Sequence, residues 1–103
     1  MLACVTGSSG HVGGNLVRGL VAAGHEVRAI VRDDRRAIAG TGAMEARADI
    51  LDPASLERAF SGVEIVFHCA ARIALSRFEE GGLREVNVPG TRNVVRACLA
   101  AGV

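Results

Sequence analysis

The run Val5-Thr6-Gly7-Ser8-Ser9-Gly10-His11-Val12-Gly13 constrains the fold of this chain more than any other feature. It follows directly on Leu2 to Val5, a short apolar segment that fits a strand buried on both faces. It leads directly into helical periodicity: Val12, Leu16 and Leu20, flanked by Val17 and Val21, recur every fourth residue and predict one apolar face, which Gly24 ends. A strand, a glycine turn and a helix in that order offer backbone N–H groups and a helix N-terminus, with no Cβ in the way, to an anion above the turn. Gly7 is expected to make the turn, Gly10 to let phosphates reach the backbone, and Gly13 to let the helix pack close against the sheet. The alternative is a glycine-rich connection that binds nothing.

The rest of the chain continues the alternation. Val27 to Val31 is β-branched and predicts a second strand, and Met44 to Ala48 a weaker third; between them Asp33 to Ala43 is charged, then glycine-rich, a loop with at most one helical turn. Asp52 before Pro53 reads as an N-cap with proline at the first helical position, opening a helix over Ala54 to Phe60 that Gly62 ends. Ile65 to His68 is the fourth strand. A last helix lies within Leu83 to Ala101, with Val86, Gly90, Val94 and Cys98 on one line. Pro89 lacks an N–H, so a kink, or a helix that starts nearby, is expected there. Buried strands alternating with helices mean an α/β fold, a doubly wound, Rossmann-like parallel sheet with about four strands, residues 1–103 forming one domain.

Composition narrows the partners. Twelve basic against eleven acidic residues leave a net charge of +1, too even a balance for a nucleic-acid track. Cys4, Cys69 and Cys98 sit apart in apolar runs, with no C-x-x-C and no Cys/His cluster, so they read as reduced core thiols and no metal site is expected. The apolar start reaches Thr6 and Gly7 without a basic leader, neither a signal segment nor a membrane span, so a cytoplasmic location is expected. All the basic residues are Arg; the chain has no Lys, no Tyr and no Trp. His68, at the end of an apolar strand, reads as a half-buried structural histidine, and His25 as incidental.

The turn has the spacing G-x-x-G-x-x-G preceded by Thr, and with it the chain resembles the extended short-chain dehydrogenase/reductases. These include NAD(P)-dependent epimerases and dehydratases and the dihydroflavonol-reductase-like enzymes. Ala48-Asp49-Ile50-Leu51-Asp52-Pro53, Val66-Phe67-His68-Cys69-Ala70-Ala71 and Val86-Asn87-Val88-Pro89-Gly90-Thr91-Arg92-Asn93 carry the resemblance onward in the family's order. It implies that Gly7, Ser9, Gly10, His11, Val12 and Gly13 hold a dinucleotide pyrophosphate and that Asp49 and Ile50 frame the adenine. Ala70 and Ala71 pass the nicotinamide ribose, and Asn87 lies near the nicotinamide side. Read without the resemblance, Asp49 is a turn-capping acid, and Asn87 and Thr91 bond backbone within the last helix.

Strand two ends Ile30-Val31-Arg32, with Val31 where an acid would bond the adenine ribose 2′-OH. Arg32 suits a 2′-phosphate, so NADP is preferred over NAD. A register shift to Asp33 or Asp34 reverses that preference, and Arg35 and Arg36 are the other sources of positive charge. The family's catalytic Tyr-x-x-x-Lys pair has no counterpart here, so no catalytic residue is assigned and the chain reads as the N-terminal portion of such an enzyme. A small-molecule substrate and a homodimer belong to the full-length protein on this reading. The strand expected after Val103 would cover an apolar edge at strand four. The two rivals are a non-catalytic, redox-sensing dinucleotide binder and an interaction module with an idle turn.

Overall fold

The computed structural model describes residues 1–70 and 80–103. β1 (Leu2–Thr6) runs through the middle of a parallel sheet; β2 (Glu26–Val31) lies on one side with β3 (Met44–Arg47) beyond it, and β4 (Ile65–His68) lies on the other. The helices are α1 (His11–Ala22), α2 (Pro53–Ala59) and α3 (Glu80–Ala101). The strand order β3-β2-β1-β4 means that the chain winds outward from β1, then returns to its other flank. In such sheets a crevice opens above the carboxyl ends of the strands at the reversal, here between β1 and β4.

Strict alternation along β1 divides the core. Cys4, with Ile30 of β2, faces α2 and α3 among Leu56, Ala59, Phe60, Val94 and Ala97. Val5, with Val27, Ala29 and Val31, faces α1 at Val17. Both faces of β1 are covered, and for that reason its sequence is an unbroken apolar run.

Arg28 pairs across from Cys4, so its side chain leaves on the α2 face, where Nη1 donates to the carbonyls of Ala59 at 2.5 Å and Ser61 at 2.8 Å. A guanidinium thus closes the carbonyl end of α2, the end a cation favours. At the other end Asp52 accepts the Ser55 N–H at 3.4 Å and Pro53 opens the helix. α1 stops as expected: Gly24 has φ +89°, its N–H reaches the Val21 carbonyl, and the His25 N–H reaches the Leu20 carbonyl at 3.1 Å.

Two expectations need correction. Val12 is 68 % exposed and does not share the core face of α1; that face is Gly13, Gly14 and Val17, because the glycines let the helix backbone itself meet the turn. α3 starts before Leu83, at Glu80, and runs through Pro89, so of the two alternatives there the helix start near the proline is the one set aside. Beyond the proline, Val94 and Ala97 are core, and buried Gly90 lies directly on Ile50, packing that offsets the missing backbone bond. Of the three cysteines only Cys4 is fully buried; Cys69 and Cys98 are half-buried and all are free thiols. No helix of the described residues is long and apolar enough to cross a membrane.

Candidate functional site

The glycine turn is built from within. Gly7 has φ +71°, and a Cβ there would stand 2.6 Å from the Ala70 nitrogen and 2.7 Å from the Cys69 carbonyl carbon. The buried Ser8 hydroxyl donates to the Val5 carbonyl at 2.8 Å and the Ser8 N–H to the Ile30 carbonyl at 3.2 Å, pinning the turn to two strands. Gly13 serves a different contact from the one expected: its Cβ would collide with the Gly7 carbonyl, so it admits the turn rather than the sheet. Gly10 differs again. Its φ of −85° suits any residue, and a Cβ would meet only the Gly7 carbonyl oxygen at 3.2 Å. Glycine there relieves one tight backbone contact and leaves the space above it open.

That space faces a helix start with free amides. The Gly14 N–H makes the first helical bond, to Gly10 at 2.9 Å, so the N–H groups of His11, Val12 and Gly13 have no acceptor within the helix. No side chain caps this end and no acid stands in the first turn. The N-terminal end of a 12-residue helix therefore keeps its positive end open to an anion.

A cleft of about 480 Å³ extends from the turn across the strand ends. Gly7, Ser9 and Gly10 line it from the turn, Ile30 and Arg32 from the end of β2, Ala48, Asp49, Ile50 and Leu51 from beyond β3, and Cys69 and Ala70 from beyond β4. Seven expected residues, Gly7, Ser9, Gly10, Arg32, Asp49, Ile50 and Ala70, thus meet in one place. His11, Val12 and Gly13 form the helix start beside it. Asn87 is half-buried on α3 and is not among the described lining residues, while Ala71 lies outside the described residues.

Charges at the β2 end sort themselves by pairing. Arg36 grips Asp34 at 2.7 Å, and its guanidinium holds that carboxyl down at about 2. Arg35 pairs with Glu45 at 2.7 Å. Arg32 has no ion pair among the described residues and reaches both the cleft and an adjoining hollow of about 380 Å³, which Arg47 and Arg58 also line.

The loop beyond β3 is held by Asp49 itself and by Ser55, Gly90 and Asn93, for which the sequence reading assigned no such role. Asp49 Oδ1 accepts the Leu51 N–H at 2.9 Å, a turn-capping bond. Ser55 accepts the Asp49 N–H at 3.1 Å and donates to the Asp52 carbonyl at 2.7 Å. Asn93 of α3 donates to the Ile50 carbonyl at 2.8 Å. Gly90 allows the close approach, since a Cβ there would stand 2.9 Å from Ile50 Cγ1. A glycine inside a helix was the one signal available for this.

Below the cleft, Thr6 Oγ1 lies 2.8 Å from His68 Nδ1, and His68 Nε2 lies 3.1 Å from Thr91 Oγ1. Burial holds the His68 pKa below its ordinary 6.5. Unfolding returns the ring to the ordinary value, so this group's contribution to stability is full above pH 6.5 and is lost as pH falls through the lower folded value. Urea midpoints measured across that window should drop with acid in the wild type and flatten in His68→Asn; equal slopes would contradict this. Burial also pushes the Cys4 thiol up to about 12, which keeps it protonated and inert at neutral pH.

The comparisons with known proteins agree with this geometry. Residues 4–103 match the 3-beta hydroxysteroid dehydrogenase/isomerase family. The chain is 40 % identical over 105 residues to sterol demethylase protein B of Methylococcus capsulatus, covering 100 % of this chain and 32 % of that protein. It is 40 % identical over 111 residues to cinnamoyl-CoA reductase 1 of Oryza sativa subsp. japonica, covering 99 % of this chain and 32 % of the reductase. A UDP-glucose 4-epimerase of Thermus thermophilus, solved in complex with NAD, superimposes with a TM-score of 0.84 at 32 % identity, over 100 % of this chain and 35 % of the epimerase. The chain thus spans about a third of the length of the relatives it matches. Its strand order, its glycine turn and the near-complete match make this chain a member of the 3-beta hydroxysteroid dehydrogenase/isomerase family, within the Rossmann-fold epimerases, dehydratases and reductases.

Proposed function

We propose that this chain is the dinucleotide-binding portion of a cytoplasmic NAD(P)-dependent oxidoreductase, epimerase or dehydratase. The observation that carries the reading is the uncapped N-terminus of α1, with its free amides, standing where the strand order reverses. The residues suit the cofactor because the open start of α1, with Gly10 adding no side chain beside it, leaves room for a pyrophosphate over the amides. Gly7, Ser9, Gly10 and the amides of His11, Val12 and Gly13 hold the pyrophosphate, Asp49 and Ile50 border the adenine, and Ala70 borders the nicotinamide ribose. When bound, the nicotinamide supplies a hydride donor or acceptor. This chain binds and orients it, but with no Tyr and no Lys it contributes no acid/base pair of the family's kind. The substrate on this reading is a sugar nucleotide or a small carbonyl or alcohol compound.

The same reading prefers NADP. Arg32 lacks an ion-pair partner among the described residues and borders a hollow that Arg47 and Arg58 line together with Asp33, Asp49 and Asp52, so the preference rests on its unpaired guanidinium, which suits a 2′-phosphate. Arg32→Ala should weaken NADPH about 10-fold to 100-fold and NADH by less than about 3-fold. Calorimetric titration of both cofactors reads the difference, and an equal loss would reject the 2′-phosphate assignment. One rival is a cofactor-binding redox sensor without turnover. Cofactor binding by the natural full-length polypeptide, with no hydride transfer to any carbonyl substrate screened, would support that rival.

A further inference from the structure

The hydrogen bonds around Thr6 leave one arrangement of protons. A threonine hydroxyl has one hydrogen and two acceptor sites. Thr6 Oγ1 accepts the N–H of Cys69 at 3.0 Å and that of Ala70 at 3.1 Å, which fills both. Its own hydrogen must therefore be donated, and the partner at 2.8 Å is His68 Nδ1. Nδ1 then carries no proton, the ring proton sits on Nε2, and Nε2–H donates to Thr91 Oγ1 at 3.1 Å. In the other tautomer, or in the imidazolium ion, a third N–H would point at an oxygen with no acceptor site left, and the Thr6 hydrogen would lose its partner.

We propose that His68 is a positioning residue: neutral and protonated at Nε2, it ties Thr6 of β1 to Thr91 of α3 and so orients the hydroxyl that holds the Cys69 and Ala70 amides. Those amides belong to the cleft wall opposite the glycine turn, and Gly7 abuts Ala70 so closely that no Cβ fits between them. The lock therefore fixes the Cys69–Ala70 backbone where it meets the glycine turn at the edge of the cleft. Its effect on cofactor rests on the dinucleotide-binding reading above; its proton arrangement does not.

The test uses the natural full-length polypeptide labelled with ¹⁵N. Long-range ring correlations at neutral pH should show His68 unprotonated at Nδ1 and protonated at Nε2; the reverse overturns the proposal. His68→Phe keeps a ring but removes the acceptor, whereas His68→Asn returns an acceptor oxygen at the Nδ1 position. The Phe variant should move the Cys69 and Ala70 amide resonances and weaken NADPH and NADH alike by about 10-fold. The Asn variant should restore the amide positions and bring affinity back to within about 3-fold. Equal damage in the two variants, or amides unmoved in both, overturns the lock. If the Phe variant does not fold, Thr91→Ser against Thr91→Val tests the other anchor of the ring without touching the amide acceptor, with Ser expected to keep the amides in place and Val to move them; amides unmoved in both overturn the lock. A wild type that binds neither dinucleotide would sink the functional reading, while the tautomer and the amide resonances still decide the lock.

Discussion

Replacing Gly10 with valine should abolish binding of NADPH and NADH together, by about 100-fold or more, in a protein that still folds. The backbone at Gly10 has φ −85° and a Cβ there meets only one protein atom, the Gly7 carbonyl oxygen at 3.2 Å. The backbone conformation accepts a side chain, and the fold should survive at a cost of about 1–3 kcal/mol for a poorer N-cap and the tight contact with that oxygen. A pyrophosphate does not accept one, because the branched side chain would project into the space over the amides of His11, Val12 and Gly13. Fluorescence titration with both cofactors, beside a urea denaturation curve, separates the two effects. Unchanged affinity in the folded variant would show that the phosphates sit elsewhere.

Gly7→Ala should do the opposite, damaging the fold first. A positive φ costs an L-residue roughly 1–2 kcal/mol, and forcing a methyl into packed backbone costs roughly 1–3 kcal/mol more. Here the methyl would meet the backbone of Cys69 and Ala70 at 2.6–2.7 Å, atoms that cannot swing aside as a flexible side chain can. A loss of about 2–5 kcal/mol is expected, read from urea midpoints. Gly62 supplies the control, since its φ of +76° is similar but nothing stands within 4 Å of its Cβ position. Gly62→Ala should cost only the roughly 1–2 kcal/mol of the backbone term. If both variants lose the same stability, the close approach of turn and wall is not what requires glycine at position 7.

Most elements were legible because their signals are local. The Asp52-Pro53 pair announced α2 and Gly24 announced the end of α1, since each acts on its own few backbone groups. Pro89 left two alternatives open for the same reason: locally it opposes a helix, yet α3 continues through it, carried by Gly90, Val94 and Ala97 against partners distant in sequence. Val12 misled through periodicity, which counts apolar residues without knowing that Gly13 and Gly14 bring the helix backbone onto the turn. Within the site, the turn and Arg32 were legible as motif residues. Ser55, Gly90 and Asn93 were not, because their role is to hold the Asp49–Ile50 loop from other elements.

By itself the amino-acid sequence determined the α/β order, the strand-turn-helix unit over residues 2 to 22 with its glycine turn, and the absence of Tyr and Lys. Each follows from bonds and side chains within a few residues of one another. Only the tertiary structure decided that β4 returns beside β1, which sets Ala70 against Gly7 and joins Thr6, His68 and Thr91, and that β3 lies beside β2, which brings Glu45 to Arg35 while Arg32 has no ion pair among the described residues. The long-range pairings among these depend on which strands the sheet sets side by side, and local spacing carries no record of that choice.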